Sequence, residues 1–334
     1  MRIAVWCPPT ETYLRLYRQA GVTDIVSALP AQEQGPVWEF LPLLHLRNRV
    51  EEAGLTLSVI ESIPVPDSIK LGLPERDRDL ECFLKSLRNM GAAGIPILCY
   101  NWMAVLSVLR TSFTEPVRGG AASIAYDHSE MAQRPMPEAG PVSEQTLWSA
   151  LEYFLKVVVP VAEEVGVKLA MHPDDPPISG TRGIGRIMTS PGSFQRLIDL
   201  APSANNGLTY CQGCFAEMGA DIPATIAQFC GQRRMFFAHF RNLKGALTHF
   251  VETFHDEGDT DMFAAMKAYA DAGFDGPMRP DHVPAMEGET HGPGSYQVLG
   301  RLLAIGYMRG LMEGVAKSTP PMGSAQSPRP PTTR

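Results

Sequence analysis

The chain has 334 residues, with 36 acidic against 29 basic side chains and a formal net charge of −7. That balance argues against a nucleic-acid partner or an anionic membrane surface, since both need clustered Lys and Arg. A hydrophobic fraction of 44% supplies a large core, yet no apolar run approaches the ~20 residues of a membrane span.

Residues 1–7 carry no long apolar stretch before a small-residue cleavage site, so export is not expected and the cytoplasm is the expected location. Residues 2–6 (RIAVW) read as a first strand. Residues 11–20 read as a helix, with Tyr13, Leu14, Leu16 and Tyr17 at helical spacing and Gly21 to end it. Residues 24–28 (DIVSA) are the second strand, 37–53 a helix capped by Gly54, and 55–61 (LTLSVIE) the third strand. A helix over 76–90 stops at Gly91 and leads to the fourth strand, 95–100 (IPILCY). The connection from Asn101 to Glu144 is too long for a simple βα loop, and its 112–144 part reads as a lid. A long helix over 146–165 ends at Gly166 before the fifth strand, 167–172 (VKLAMH). A short helix over 190–200 precedes the sixth strand, 207–211 (GLTYC), and a helix over 222–230 precedes the seventh, 235–239 (MFFAH). A helix over 261–272 capped by Gly273, a weak eighth strand over 276–280 and a closing helix over 296–315 complete the pattern. Residues 318–334 are rich in Pro, Ser and Thr and read as a disordered tail.

Strict alternation of strands and helices implies βαβ units and a parallel sheet, and eight units imply a closed (β/α)₈ TIM barrel in the α/β class. A doubly wound open sheet is the competing architecture, but no G-x-G-x-x-G follows the first strand. One barrel domain over 1–317 accounts for the length before the tail.

In a barrel the active site is built at the C-terminal ends of the strands. The fifth strand ends at His172, followed by Pro173, Asp174 and Asp175. The sixth ends at Cys211, the seventh at His239, and the eighth in Arg279-Pro280-Asp281-His282. A lone strand-end His is more often a satisfied polar residue, a lone Cys a small core hydrophobe, and a lone Asp a turn residue. Four such residues in one register on successive units favour a metal site instead, with His172, Cys211, His239 and Asp281 as ligands. Cys214 completes a C-x₂-C pair that has no second pair, so it reads as a bystander. Cys7, Cys82, Cys99 and Cys230 read as core.

Several segments carry a family resemblance: Val59-Ile60-Glu61-Ser62-Ile63-Pro64, Cys99-Tyr100-Asn101-Trp102-Met103, Arg110-Thr111, Met171-His172-Pro173-Asp174-Asp175-Pro176-Pro177, Tyr210-Cys211, Ala238-His239-Phe240-Arg241, Phe254-His255 and Arg279-Pro280-Asp281-His282. With Tyr296 and Gly300-Arg301 they resemble the mannonate dehydratases over essentially the whole chain before the tail. The resemblance implies a xylose-isomerase-like barrel that binds a divalent ion, Mn(II) or Fe(II), on the same four residues. It implies His282 and Tyr296 as the acid–base pair, and dehydration of a sugar acid, D-mannonate, to 2-keto-3-deoxy-D-gluconate. Three departures stand out: Val283 where the family has Gly, Ser295 between Gly294 and Tyr296, and a shortened segment between Arg118 and Glu144.

Arg241 and Arg279 offer planar forks for a substrate carboxylate, and Asn101 suits hydroxyls. For each Arg a salt bridge to a nearby Asp competes with that role. His255 sits beside Asp256 and Glu257 as a further substrate contact or none. Asp174 and Asp175 read as groups that orient His172 or shape its turn. His45, His128, His249 and His291 read as surface residues. The expected partner is a small sugar acid, and a homo-oligomer, dimer or higher, is expected. Dehydration of another aldonic acid, a metal-dependent sugar isomerase or epimerase, and a non-catalytic sugar-acid binding protein are the alternatives.

Overall fold

The computed structural model of the chain describes residues 1–289 and 297–318. Twelve strands appear among them: β1 (Arg2–Trp6), β2 (Asp24–Ser27), β3 (Thr56–Glu61), β4 (Ile97–Asn101), β5 (Ser112–Pro116), β6 (Ala122–Asp127), β7 (Lys168–His172), β8 (Asn206–Cys211), β9 (Met235–Phe240), β10 (Leu243–Ala246), β11 (His249–Glu252) and β12 (Pro277–Pro280). Eight of these close into a barrel in the order β1-β12-β9-β8-β7-β4-β3-β2, with every observed pairing parallel. The expected (β/α)₈ barrel is therefore the fold.

Strands buried on both faces need no polar alternation. Inside the barrel, Ala4, Val26, Val59, Ile97, Cys99, Ala170 and Phe237 pack together. Outside it, a larger core joins strands to helices, with Leu57, Tyr100, Leu169, Leu208 and Tyr210 facing helix residues such as Leu43, Phe83, Phe154 and Phe229. The helix over Glu144–Glu164 starts two residues earlier than its periodicity suggested, because Ser143 Oγ caps the Thr146 amide. The helix Arg76–Ala92 runs through Gly91 rather than stopping there. Gly91 serves a close approach, since a Cβ at that position would lie 2.6 Å from Val165 Cβ, and the left-handed turn comes at Gly94, with φ of +74°. The closing helix, Val298–Ser318, includes the residue assigned as the start of the tail. Positions 319–334 lie outside the described residues.

The 112–144 segment, expected as a loop or lid, carries regular structure. It contributes β5, β6 and the short helix His128–Ala132, and β5 and β6 join β10 and β11 in an antiparallel sheet of order β10-β11-β6-β5. This sheet grows from the connections after β4 and β9, so it sits at the C-terminal mouth of the barrel. Leu109, Tyr126, Met131, Leu243 and Phe250 form its own small core. An Ala122–Ala285 bridge ties it to the chain just past β12.

Candidate active site

The barrel register brings the strand ends level: Asn101 pairs with His172, Cys211 with His239, and His239 with Arg279. His172 Nε2 stands 3.2 Å from His239 Nδ1, which is 3.6 Å from Asp281 Oδ2. Cys211 Sγ is 3.7 Å from the same Asp281 oxygen. Ligands of one first-row ion lie about 2.0–2.3 Å from it, which leaves them roughly 3–4 Å from one another. These three spacings fit that range, His172, Cys211 and His239 offer ligand atoms within 4.8 Å of one another, and Cys211, His239 and Asp281 are all buried.

Each imidazole is turned by a second contact. His172 Nδ1 donates to the Pro173 carbonyl at 2.7 Å, so Nε2 presents its lone pair to the cluster. His239 does the reverse, with Nδ1 inward and Nε2 3.3 Å from Glu61 Oε1. Glu61 itself takes a two-point contact from Arg279, at 3.0 and 2.9 Å, and Arg279 Nη1 reaches Asp281 Oδ1 at 2.8 Å.

The electrostatics favour positive charge at this cluster. Burial pushes the Cys211 thiol up, but Cys214, the Arg241 charge and the two imidazoles outweigh it and hold Cys211 well below the usual thiol range. Burial also raises Asp281, yet His282, Arg279 and His239 hold it well below the usual carboxylate range. Glu61 behaves alike: burial raises it, and Arg279 and His239 bring it down to about 2. Burial and Arg279 push His239 down, but Glu61 and Asp281 lift it to about 10. A thiolate and a carboxylate beside two imidazoles is a soft, anionic donor set suited to several first-row divalent ions.

A cavity of about 120 Å³ opens over this cluster, and its lining includes Asn101, Asp175, Arg279 and His282. His282 reaches it although Asp281 does too, because strand pairing ends at Pro280 and the chain has turned. Its Nδ1 lies 3.0 Å from Glu252 Oε1.

Other expected site residues lie elsewhere. Arg241 does not line the cavity. It is fully buried behind the cluster, with Nε 2.8 Å from Glu252 Oε2, Nη2 2.7 Å from Glu217 Oε1, and Nη1 3.2 Å from Asp175 Oδ2. Its Nη1 also approaches Cys214 Sγ at 3.3 Å and Cys211 Sγ at 3.6 Å, so Arg241 balances buried anions rather than facing substrate. His255 is buried too, with Nε2 donating to the Phe240 carbonyl at 2.6 Å, and burial holds it down at about 4. Asp174 shapes a turn, accepting the Ile187 and Met188 amides at 3.0 and 2.8 Å. Asp175 takes both Arg110 Nη groups, at 2.7 and 2.9 Å, and touches no His172 nitrogen in these bonds. Cys214 is no bystander, since it shares Arg241 Nη1 with Cys211. Tyr296 and His291 lie outside the described residues. Sequence reasoning assigned no role to Glu61, Arg110, Glu217 or Glu252; of these, Glu61 ends a strand as His172 does and was findable on that ground.

The family model for D-mannonate dehydratase (UxuA) matches residues 1–139 and 138–320. A mannonate dehydratase 2 of Halalkalibacterium halodurans is 38% identical over 347 aligned residues, covering 95% of this chain and 100% of that protein. A mannonate dehydratase of Thermotoga maritima is 37% identical, covering 92% of this chain and 95% of that one. The crystal structure of mannonate dehydratase from Streptococcus suis serotype 2 superposes with a TM-score of 0.89 at 36% identity, over 95% of each chain. An L-ribulose 3-epimerase structure, at a TM-score of 0.60 and 14% identity over 95% and 96% of the two chains, shares the fold alone.

Proposed function

The chain belongs to the mannonate dehydratase family, and from that membership we propose that it is a metal-dependent hydro-lyase that converts D-mannonate to 2-keto-3-deoxy-D-gluconate and water. The observation that carries this reading is the convergence of one thiolate, one carboxylate and two oriented imidazoles beneath a cavity that His282 also lines.

The reaction removes the C2 proton, which lies α to a carboxylate, and expels the C3 hydroxyl. The first step builds charge on a group already anionic, and the second needs a proton on a poor leaving group. His172, Cys211, His239 and Asp281 would hold Mn(II) or Fe(II), whose chemistry here is Lewis-acid withdrawal of that charge, at several kcal/mol. The residues of the chain supply position and protons. Glu61 and Arg279, on the cavity wall, fix His239 and Asp281. His282, with Nδ1 tied to Glu252, carries or accepts a proton at Nε2 on the cavity side. His282 and Tyr296 form the acid–base pair, one taking the C2 proton and the other protonating the C3 oxygen, at a typical factor of ~10²–10⁴. Asn101, on the cavity wall, is the contact for substrate hydroxyls, whereas the Arg279 fork, also on that wall, is taken by Glu61 and Asp281 and holds those carboxylates rather than the substrate's.

The test is to incubate the purified protein and Mn(II) with a panel of aldonic acids. Formation of a 2-keto-3-deoxy acid from D-mannonate, lost in Tyr296→Phe and His282→Asn, is the expected result. Turnover of an aldose to a ketose, or of another aldonic acid in preference, overturns the assignment.

A further inference from the structure

His282 lies two residues beyond Pro280, the last paired residue of β12, so barrel pairing leaves its ring without a fixed direction. The ring is instead held from outside the barrel. Glu252 is the last residue of β11, in the mouth sheet, and is fully buried. Its Oε1 accepts from Arg110 Nη2 at 2.8 Å and from Arg241 Nη2, and its Oε2 accepts from Arg241 Nε at 2.8 Å. A carboxyl oxygen that already accepts from two guanidinium groups belongs to a carboxylate, which has no proton to give. In the 3.0 Å contact between Glu252 Oε1 and His282 Nδ1, the proton therefore sits on the imidazole; Arg110 Nη2 also approaches Nδ1, at a longer 3.4 Å, but its hydrogen is already given to the same Glu252 oxygen at 2.8 Å. Asp175 braces the same two arginines, which keeps the carboxylate from swinging towards the cavity.

We propose that Glu252 is the positioning residue of His282: it accepts the Nδ1–H, locks the ring and so presents Nε2 to the substrate. The mouth sheet then has a specific task in catalysis, because it delivers to the barrel end a carboxylate that no barrel strand supplies. The inference rests on the assignment of His282 to the acid–base pair above. A tautomer error at a catalytic imidazole costs up to ~10⁴ in rate.

The experiment compares Glu252→Gln and Glu217→Gln in the manganese-loaded full chain. Glu217 meets Arg241 at 2.7 Å as Glu252 does but has no bond to His282, so its variant measures damage to the buried network alone. For Glu252→Gln the expected result is a kcat on D-mannonate reduced about 10²–10⁴-fold, with KM within about threefold and bound manganese unchanged. Glu217→Gln keeps kcat within about threefold. If Glu252→Gln does not fold, Glu252→Asp replaces it, since the shorter carboxylate keeps the charge while its oxygen withdraws from Nδ1, and kcat is again expected to fall. A second readout needs no turnover: in the zinc-substituted protein, the His282 side-chain nitrogens, assigned by their loss in His282→Asn, report an Nδ1–H tautomer in the wild type and lose it in the Glu252 variant. Equal kcat losses in the two variants, or a His282 protonated only at Nε2 in the wild type, overturn the proposal. A wild type that does not dehydrate D-mannonate but shows the Nδ1–H tautomer contradicts the proposed function and leaves the positioning of His282 supported.

Discussion

Replacing Arg241 tests the electrostatic account of the site most severely. The Arg241→Met variant keeps the length of the side chain and most of its apolar packing while deleting a buried charge. Two carboxylates, Asp175 and Glu252, then share one remaining guanidinium, Arg110, and Glu217, which burial pushes well above the usual carboxylate range, loses its 2.7 Å partner. Breaking a buried pair from one side costs about 3–5 kcal/mol, because a buried charge is left uncompensated. For 334 residues the unfolding entropy is about 0.7 kcal/mol per kelvin, so the midpoint falls by roughly 4–7 °C. The assay is thermal unfolding followed by circular dichroism, with chelator present so that metal binding does not add to either protein. Adding Glu252→Gln to Arg241→Met should recover part of the loss, since a carboxylate that Arg241 had offset is removed and neighbouring changes do not add. A single-variant loss below about 1 kcal/mol would refute the view that Arg241 offsets buried anions.

Three further outcomes are expected. Gly207→Ala lowers stability by about 1–3 kcal/mol, because a Cβ there collides with the Arg234 carbonyl oxygen, whereas Gly306→Ala, on an open helix face, raises it by about 0.5–1 kcal/mol; equal unfolding midpoints would contradict both. His255 is held neutral by burial at about 4, so as pH falls from about 6.5 the unfolded chain takes the proton first. Its contribution is full above pH ~6.5 and is lost towards pH ~4, at up to about 1.4 kcal/mol per pH unit, and His255→Gln should flatten that part of the stability–pH curve. Arg279→Lys keeps the charge but cannot make the two-point contact to Glu61, so bound manganese is expected to fall about 10–100-fold in affinity, read by metal titration; unchanged affinity would remove Arg279 from its supporting role.

The barrel was legible because parallel strands buried on both faces are short, continuous apolar runs, and because Gly54, Gly166 and Gly273 end helices just ahead of strands. The cluster of His172, Cys211, His239 and Asp281 was legible for a related reason: each lies at or just past the end of such a run, and a barrel makes strand ends converge. The mouth sheet was not. β5 pairs locally with β6 and β10 with β11, but β6 finds β11 more than a hundred residues later, and Ser112–Pro116 is largely exposed, so no local pattern announces the four-stranded sheet. Arg241 misled for the same reason. Its position after His239 suggests a carboxylate fork in the cavity, but the groups that capture it, Asp175, Glu217 and Glu252, come from three distant segments. Gly91 carried a true signal with the wrong meaning, since its missing side chain makes room for Val165 rather than ending a helix.

The central claim is that His172, Cys211, His239 and Asp281 hold the ion that the reaction needs. It is tested most directly by stripping the protein with chelator, titrating Mn(II) back, and following bound metal and 2-keto-3-deoxy-D-gluconate together in the wild type and in Cys211→Ala. The account predicts that activity disappears with the metal, returns in proportion to its rebinding, and that Cys211→Ala loses both. Full-rate dehydration by the stripped protein, or a Cys211→Ala variant that binds manganese and turns over as the wild type does, would contradict it.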